Sequence, residues 1–193
     1  MAKIVKETTV VTNKVRLGYV HVLEPYAHEE GQEPRYSAQI MIPKEDKQTL
    51  DLIKKAMSFV YDSAKDGSLK GVKKDKLKTP LRDGDEETND DGEPRVPGHY
   101  FINARSVRKP VIVKNVNGVK VQTDDSADVY SGVYALVSLN FYAYNTAGNK
   151  GISAGLNNVF TTCKGEAIGG GTTAEEDFGD IELEDDFEDD DLF

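Results

Sequence analysis

Tyr130-Ser131-Gly132-Val133-Tyr134-Ala135-Leu136-Val137-Ser138-Leu139-Asn140-Phe141-Tyr142-Ala143-Tyr144 is the stretch on which the fold turns. Its odd positions from Val133 to Ala143 are all apolar. Its even positions are Tyr134, Leu136, Ser138, Asn140, Tyr142 and Tyr144. Alternation with a period of two places one set on each face of a β-strand. The odd set reads as core; the even set is aromatic and hydrogen-bonding.

The same period recurs on both sides of this strand. Val15, Leu17 and Tyr19 alternate with Arg16, Gly18 and Val20, and Tyr36, Ala38, Ile40 and Ile42 alternate with Arg35, Ser37, Gln39 and Met41. Tyr100, Ile102 and Ala104 share one face of a further strand, leaving His99, Phe101, Asn103 and Arg105 on the outer one. Val111–Val113 and Val119–Val121 flank Asn117-Gly118, the dipeptide of a type I′ hairpin. A last strand is predicted over 152–162.

Between these strands the period changes once. Leu50, Ile53, Met57, Val60, Tyr61 and Ala64 fall on one helical stripe between Glu45 and Lys65. Glu45 and Asp46 are expected in the first turn, where negative charge suits the helix dipole. The next segment, 67–98, reads as a charged loop. Seven bases lie between Lys65 and Arg82, and seven acids between Asp83 and Glu93. The fold class is therefore mainly β, with one amphipathic helix. A five-stranded Greek-key barrel with extra strands, an OB-fold, fits best, and a β-sandwich satisfies the same strand count. The domain division is a body over 1–168, then a Gly-rich linker and acidic tail over 169–193, expected to be disordered.

The chain of 193 residues has 34 acids against 24 bases, a formal charge of −10. Taken whole, that argues against a polyanionic partner. But 12 of the acids, and none of the Lys or Arg, lie in 174–193. The remaining 173 residues carry 22 acids and 24 bases. The net charge is a near-neutral body plus a polyanionic tail. One cysteine, Cys163, permits no internal disulfide and fits a reducing compartment. The first residues lack the apolar core of a secretory signal. Apolar runs of about five residues fall far below the ~20 of a membrane helix. A cytoplasmic protein with no membrane partner is the expectation.

Enzyme signatures are sparse. His21, His28 and His99 are scattered, and no Cys or His spacing indicates a zinc site. No phosphate-cradling glycine loop occurs, so no cofactor and no metal are expected. Ser106-Val107-Arg108-Lys109 matches a short Ser-x-x-Lys pattern without its companion motifs. Glu87, Asn89, Asp91 and Gly92 could begin a calcium loop, but Gly98 stands where the closing bidentate Glu is required. The best enzymatic alternative is a metal-dependent nuclease, or an accessory to one, using Asp83 and Asp85.

Single-strand binding needs cations that follow phosphates and flat rings on which bases stack. Candidates for both are present. The cations are Lys73, Lys74, Lys76, Lys78 and Arg82 in a basic loop, Arg105, Arg108 and Lys109 along and after one strand, and Lys150 in a turn. The rings are Phe101, Tyr134, Tyr142 and Tyr144. The tail closes on Asp189, Asp190, Asp191, Leu192 and Phe193. An apolar end after acids is a partner-binding anchor in which charge steers and the ring fills a pocket. At ~3.3 Å per residue the tail spans about 66 Å, enough to reach any face of the body and compete for a basic groove.

Five segments carry a family resemblance. They are Pro80-Leu81-Arg82-Asp83-Gly84-Asp85, Tyr100-Phe101-Ile102-Asn103-Ala104, Tyr130-Ser131-Gly132-Val133-Tyr134, Asn140-Phe141-Tyr142-Ala143-Tyr144, and Gly148-Asn149-Lys150-Gly151 through Gly155-Leu156-Asn157-Asn158-Val159. Over roughly 15–171 the chain resembles a bacteriophage single-stranded DNA-binding protein family. The resemblance implies a non-enzymatic OB-fold protein that coats single-stranded DNA in phage replication, recombination and repair, in the cytoplasm of an infected bacterium. The tail is similar to those of bacterial and T7-like phage single-strand binders, which implies recruitment of phage or host replication proteins. A homodimer is compatible with this reading. The third reading is a structural phage β-module kept soluble by its tail.

Overall fold

In a computed structural model that describes residues 1–27 and 29–169, the stretch that opened the sequence reading lies at the centre of a closed sheet. In chain order the strands begin with β1 (Lys3–Lys6), β2 (Thr9–Val11), β3 (Val15–Tyr26) and β4 (Arg35–Pro43). Helix α1 (Lys47–Ala64) follows. After it come β5 (Arg82–Asp83), β6 (His99–Ser106), β7 (Val111–Val116) and β8 (Val119–Gln122). The two longest strands, β9 (Tyr134–Thr146) and β10 (Asn149–Cys163), complete the set.

Five strands close on themselves. β9, β3, β4, β6 and β10 are hydrogen-bonded in that order, and β10 returns to β9. Four of these contacts are antiparallel, and β6 with β10 is parallel. Numbered along the chain, the neighbours run first, second, third, fifth, fourth and back to first. That closed order with its single parallel pair is the Greek-key OB barrel. The β1–β2 hairpin extends the sheet at β9, and the β7–β8 hairpin extends it at β10.

The odd residues of β9 do form the core. Ala135, Val137, Leu139 and Phe141 are buried, as is Val133 just before them. They pack with Leu17, Ile40, Ile42, Ile102 and Leu156 inside the barrel. Leu50, Ile53, Met57 and Val60 of α1 plug one end, as their stripe requires. Each such side chain, fully buried, is worth about 1.5–3 kcal/mol.

The boundaries differ from expectation for identifiable reasons. α1 begins at Lys47, so Glu45 and Asp46 precede its first turn. Asp46 serves as the N-cap: its carboxylate accepts from the Thr49 N–H at 3.1 Å. Direct satisfaction of an orphan donor is a more specific use of the charge than the dipole alone. β10 begins three residues before the predicted strand. Its turn from β9 is the dipeptide Ala147-Gly148, with φ of 50° and 82°, the same left-handed pair as Asn117-Gly118 (51° and 86°). An alanine there hides the hairpin from composition.

β4 is buried on both faces. Met41, on its outer side, packs with Phe101 of β6 and Val96 of the acidic loop. Loop 83–98 therefore folds back over the sheet. Gly84 makes the fold-back feasible, because a Cβ there would stand 2.3 Å from the Val96 carbonyl oxygen. The basic loop is likewise tied down. The Ile152 N–H donates to the Lys78 carbonyl at 2.9 Å, and the Lys150 ammonium donates to the Lys70 carbonyl at 2.7 Å.

Candidate nucleic-acid interface

Arg105 stands where three depressions on the outer face of the barrel meet. One is bounded by Tyr26, Gln32, Glu33, Arg35 and Ser37. The second is bounded by Tyr19, Ser37, Gln39, Arg95 and Asn103. The third, of about 570 Å³, is walled by Arg35, Thr79, Arg82, Asn103, Tyr142, Tyr144, Asn149 and Ser153. Adjoining depressions share Arg35, Ser37 or Asn103 as well as Arg105. Together they make one groove across β3, β4, β6 and the β9–β10 hairpin. Four guanidiniums and four tyrosine rings line it.

Local backbone geometry aims these rings. In β3 the pairing with β4 passes from Gly18↔Gln39 to His21↔Ser37, so β3 carries one extra residue. Tyr19 sits within this bulge at φ 45°, a left-handed backbone that costs a non-glycine residue roughly 1–2 kcal/mol. The extra residue resets the alternation. Leu17 and Val22 both point inward, and Tyr19 turns out to 61 % exposure. Tyr26 stacks on His21 with centroids 4.5 Å apart. Tyr142 is 44 % exposed on the outer face of β9. A Cβ at Gly151 would approach the Tyr144 hydroxyl to 2.9 Å, so the glycine leaves room for that ring.

Of the residues singled out in the sequence, Arg82, Arg105, Tyr142 and Tyr144 are brought together in the groove. Lys78 and Lys150 brace its wall. The Lys78 ammonium donates to Asn149 Oδ1 at 2.6 Å, and Lys150 reaches the Lys70 carbonyl. The others lie elsewhere. Lys74 and Lys76 belong to a 3-10 turn beside α1, with Lys73 just before it; there Lys74 donates to Ser58 Oγ at 2.8 Å and lies over the Tyr61 ring. Tyr134 is at the far end of β9, beneath Lys14 and Arg16. Arg108 lies in the turn after β6, and Lys109 pairs with Asp124 at 3.1 Å.

Phe101 requires a correction. It is on the outer side of β6 as expected, yet it is 0 % exposed. Met41 and Val96 enclose it, and the Arg82 guanidinium lies 4.9 Å above the ring. It supports Arg82 and offers no face to a base. Arg82 is also held by Glu87 in a bidentate ion pair. Tyr19, Tyr26, Arg35, Arg95, Gln39 and Asn103 also line the groove, and the strand patterns in the sequence do not single them out. The alternation placed Tyr19 inside because the bulge is invisible to a strict period of two. Arg35, Gln39 and Asn103 each stand on a polar strand face, a signal that was present but carried no indication of convergence.

Asp83 and Asp85 form a clamp with Lys44. The Lys44 ammonium lies 2.5 Å from Asp83 and 2.7 Å from Asp85. The Asp83 carboxylate also accepts the Asp85 N–H, and the Asp85 carboxylate accepts the Gly98 N–H. These hydrogen bonds, Lys44's first, hold both carboxyls below their usual range. They raise Lys44 in turn. The pair fastens the loop that buries Phe101. Among the described residues no three His, Cys, Asp or Glu side chains converge as a metal-binding group.

A closed OB barrel crossed by a groove of arginines and tyrosines belongs to the class of oligonucleotide-binding barrels. The chain belongs to the family of the Enterobacter phage Enc34 ssDNA-binding protein, whose family model matches residues 8–188. It is similar to the single-stranded DNA-binding protein from bacteriophage Enc34 in complex with ssDNA, at 24 % identity over 86 % of this chain and 91 % of that one, with a TM-score of 0.69. It shares its fold with gp2.5, a single-stranded DNA binding protein encoded by bacteriophage T7. That likeness covers 92 % of this chain and 96 % of that one, at 17 % identity and a TM-score of 0.56. A putative protein p50 of Acyrthosiphon pisum secondary endosymbiont phage 1 is 27 % identical over 178 residues, covering 89 % of this chain and 92 % of the relative.

Proposed function

We propose that this protein binds single-stranded DNA in phage replication, without strong sequence preference and without catalysis. The observation that carries this reading is the convergence of four arginines and four tyrosines in one groove across the OB barrel. Arg35, Arg95 and Arg105 follow the phosphates, and Arg82, paired with Glu87, walls the groove; Tyr19, Tyr26, Tyr142 and Tyr144 take the bases. Cations give affinity that falls with salt, and stacking gives affinity indifferent to base identity, each base worth about 1–3 kcal/mol. The nuclease reading is disfavoured by the clamp, since Lys44 and backbone N–H groups already occupy Asp83 and Asp85.

Residues 1–168 serve as the binding domain, acting in the host cytoplasm during infection. The acidic end, including Asp189–Asp191, Leu192 and Phe193, lies outside the described residues. Its role is to compete with DNA for the groove and to dock replication enzymes. The family model runs to residue 188 and so takes in most of that acidic segment. The test is titration of a labelled single strand and its duplex, with the full chain and with a truncation at 173. Single strand should bind more tightly than duplex, and truncation should raise affinity. Equal binding of duplex would contradict the function; unchanged affinity on truncation would contradict the competing tail. Sedimentation of the same samples measures whether two copies associate.

A further inference from the structure

The depression under Tyr19 differs from the rest of the groove. Its floor is a relay of side-chain amides. Gln39, 4 % exposed on the outer face of β4, donates from Nε2 to Asn103 Oδ1 at 3.3 Å. Its own oxygen lies over Gly18, where a Cβ would meet it at 3.3 Å. The Asn103 oxygen is used, and its NH₂ is the end left to face the groove. Arg95 and Arg105 add further donors around the same depression. A phosphate site would need no buried amide relay. The residue at the rim is Tyr19, held by a backbone that non-glycine residues rarely adopt. Such strain persists where surrounding structure enforces it, and here it presents a ring beside the Asn103 amide.

We infer that this depression is a base-reading subsite. Tyr19 stacks one base while the Asn103 amide donates to that base's edge. The inference rests on the single-strand reading above. A donor at the Asn103 amide favours a base that offers a carbonyl there, thymine or guanine, over one that offers an amino group, cytosine or adenine. One neutral hydrogen bond gained, against one donor left facing another, is worth about five-fold in affinity. The rest of the groove is indifferent to base, so the preference is superimposed on general binding.

The experiment compares equal-length oligomers of thymidine, deoxyuridine and deoxycytidine on the full chain by fluorescence anisotropy. All three stack weakly among themselves, and deoxyuridine controls for the thymine methyl group. Thymidine and deoxyuridine should bind alike, about five-fold tighter than deoxycytidine. Asn103→Leu should abolish the ratio. Asn103→Asp, which replaces the donor by an acceptor, should reverse it, whatever the change in overall affinity. Tyr142→Ala should weaken all three equally. A ratio near one in the native chain, or a ratio that survives both Asn103 variants, would overturn the subsite while leaving single-strand binding intact. Failure of every oligomer to bind would overturn the functional reading and the subsite with it. Thermal melts of each variant identify any loss caused by unfolding.

Discussion

Tyr19, Tyr142 and Phe101 are three aromatic residues on outer strand faces with three different fates. Tyr19 and Tyr142 present rings to the groove; Phe101 lies beneath Met41, Val96 and Arg82. Substitution separates the roles. Tyr19→Ala and Tyr142→Ala should each cost about 1–3 kcal/mol of single-strand affinity, roughly five-fold to a hundred-fold, with little change in melting temperature. Phe101→Ala should cost about 3–5 kcal/mol of folding stability instead. Melting curves and anisotropy titrations on the same three proteins check both statements. The sequence made Tyr142 legible because its strand keeps an unbroken period of two. Tyr19 was illegible because one inserted residue reverses the phase of β3 after Gly18. Phe101 was placed on the correct face but not recognised as covered, since the covering residue, Val96, lies in a segment read from its charges alone.

Elements show the same division. The stripe of α1 and the Asn117-Gly118 turn follow from local rules that the chain obeys. The β9–β10 turn bends the chain with Ala147 at φ 50°. A residue with a side chain that tolerates this region should improve it. Ala147→Asn should stabilise the protein by about 0.5–1 kcal/mol, raising the melting temperature by a few degrees. An unchanged or lower melting temperature would mean that the turn's left-handed alanine is not a source of strain.

The loop over Phe101 depends on the Lys44–Asp83–Asp85 clamp, and its pH dependence has a definite sign. The two carboxyls are held low, so their contribution is complete above the ordinary carboxylate range, about pH 4, and is lost as pH falls through their lowered values. Lys44 is raised, so its contribution holds below the ordinary lysine range and is lost only as pH rises through the raised value. Lys44→Met should therefore lower the melting temperature near neutrality, and its curve should converge with that of the native chain in acid. Parallel curves down to about pH 3 would remove the clamp from the account. The clamp was hidden in the sequence because its partners are 39 and 41 positions apart and the acids were read as one solvated run.

At the scale of the molecule, closure of the sheet converts scattered residues into a site. Arg35 of β4, Arg105 of β6 and Tyr142 of β9 are far apart along the chain and meet because β4 pairs with β6, and β10 pairs with both β6 and β9. Composition located the opposing charges, a near-neutral body and an acidic end, but not the groove. The charge of the body is small, so binding must come from where its cations stand rather than from their number. Arg105 is the residue on which this placement converges, since it borders all three depressions. The most direct measurement is the single-strand affinity of the native chain and of Arg105→Ala over a salt series. Arg105→Ala should bind more weakly and with a log–log salt slope shallower by about 0.7, the change for one lost phosphate contact on a single strand, at an unchanged melting temperature. The same affinity and the same slope for both proteins would contradict the groove.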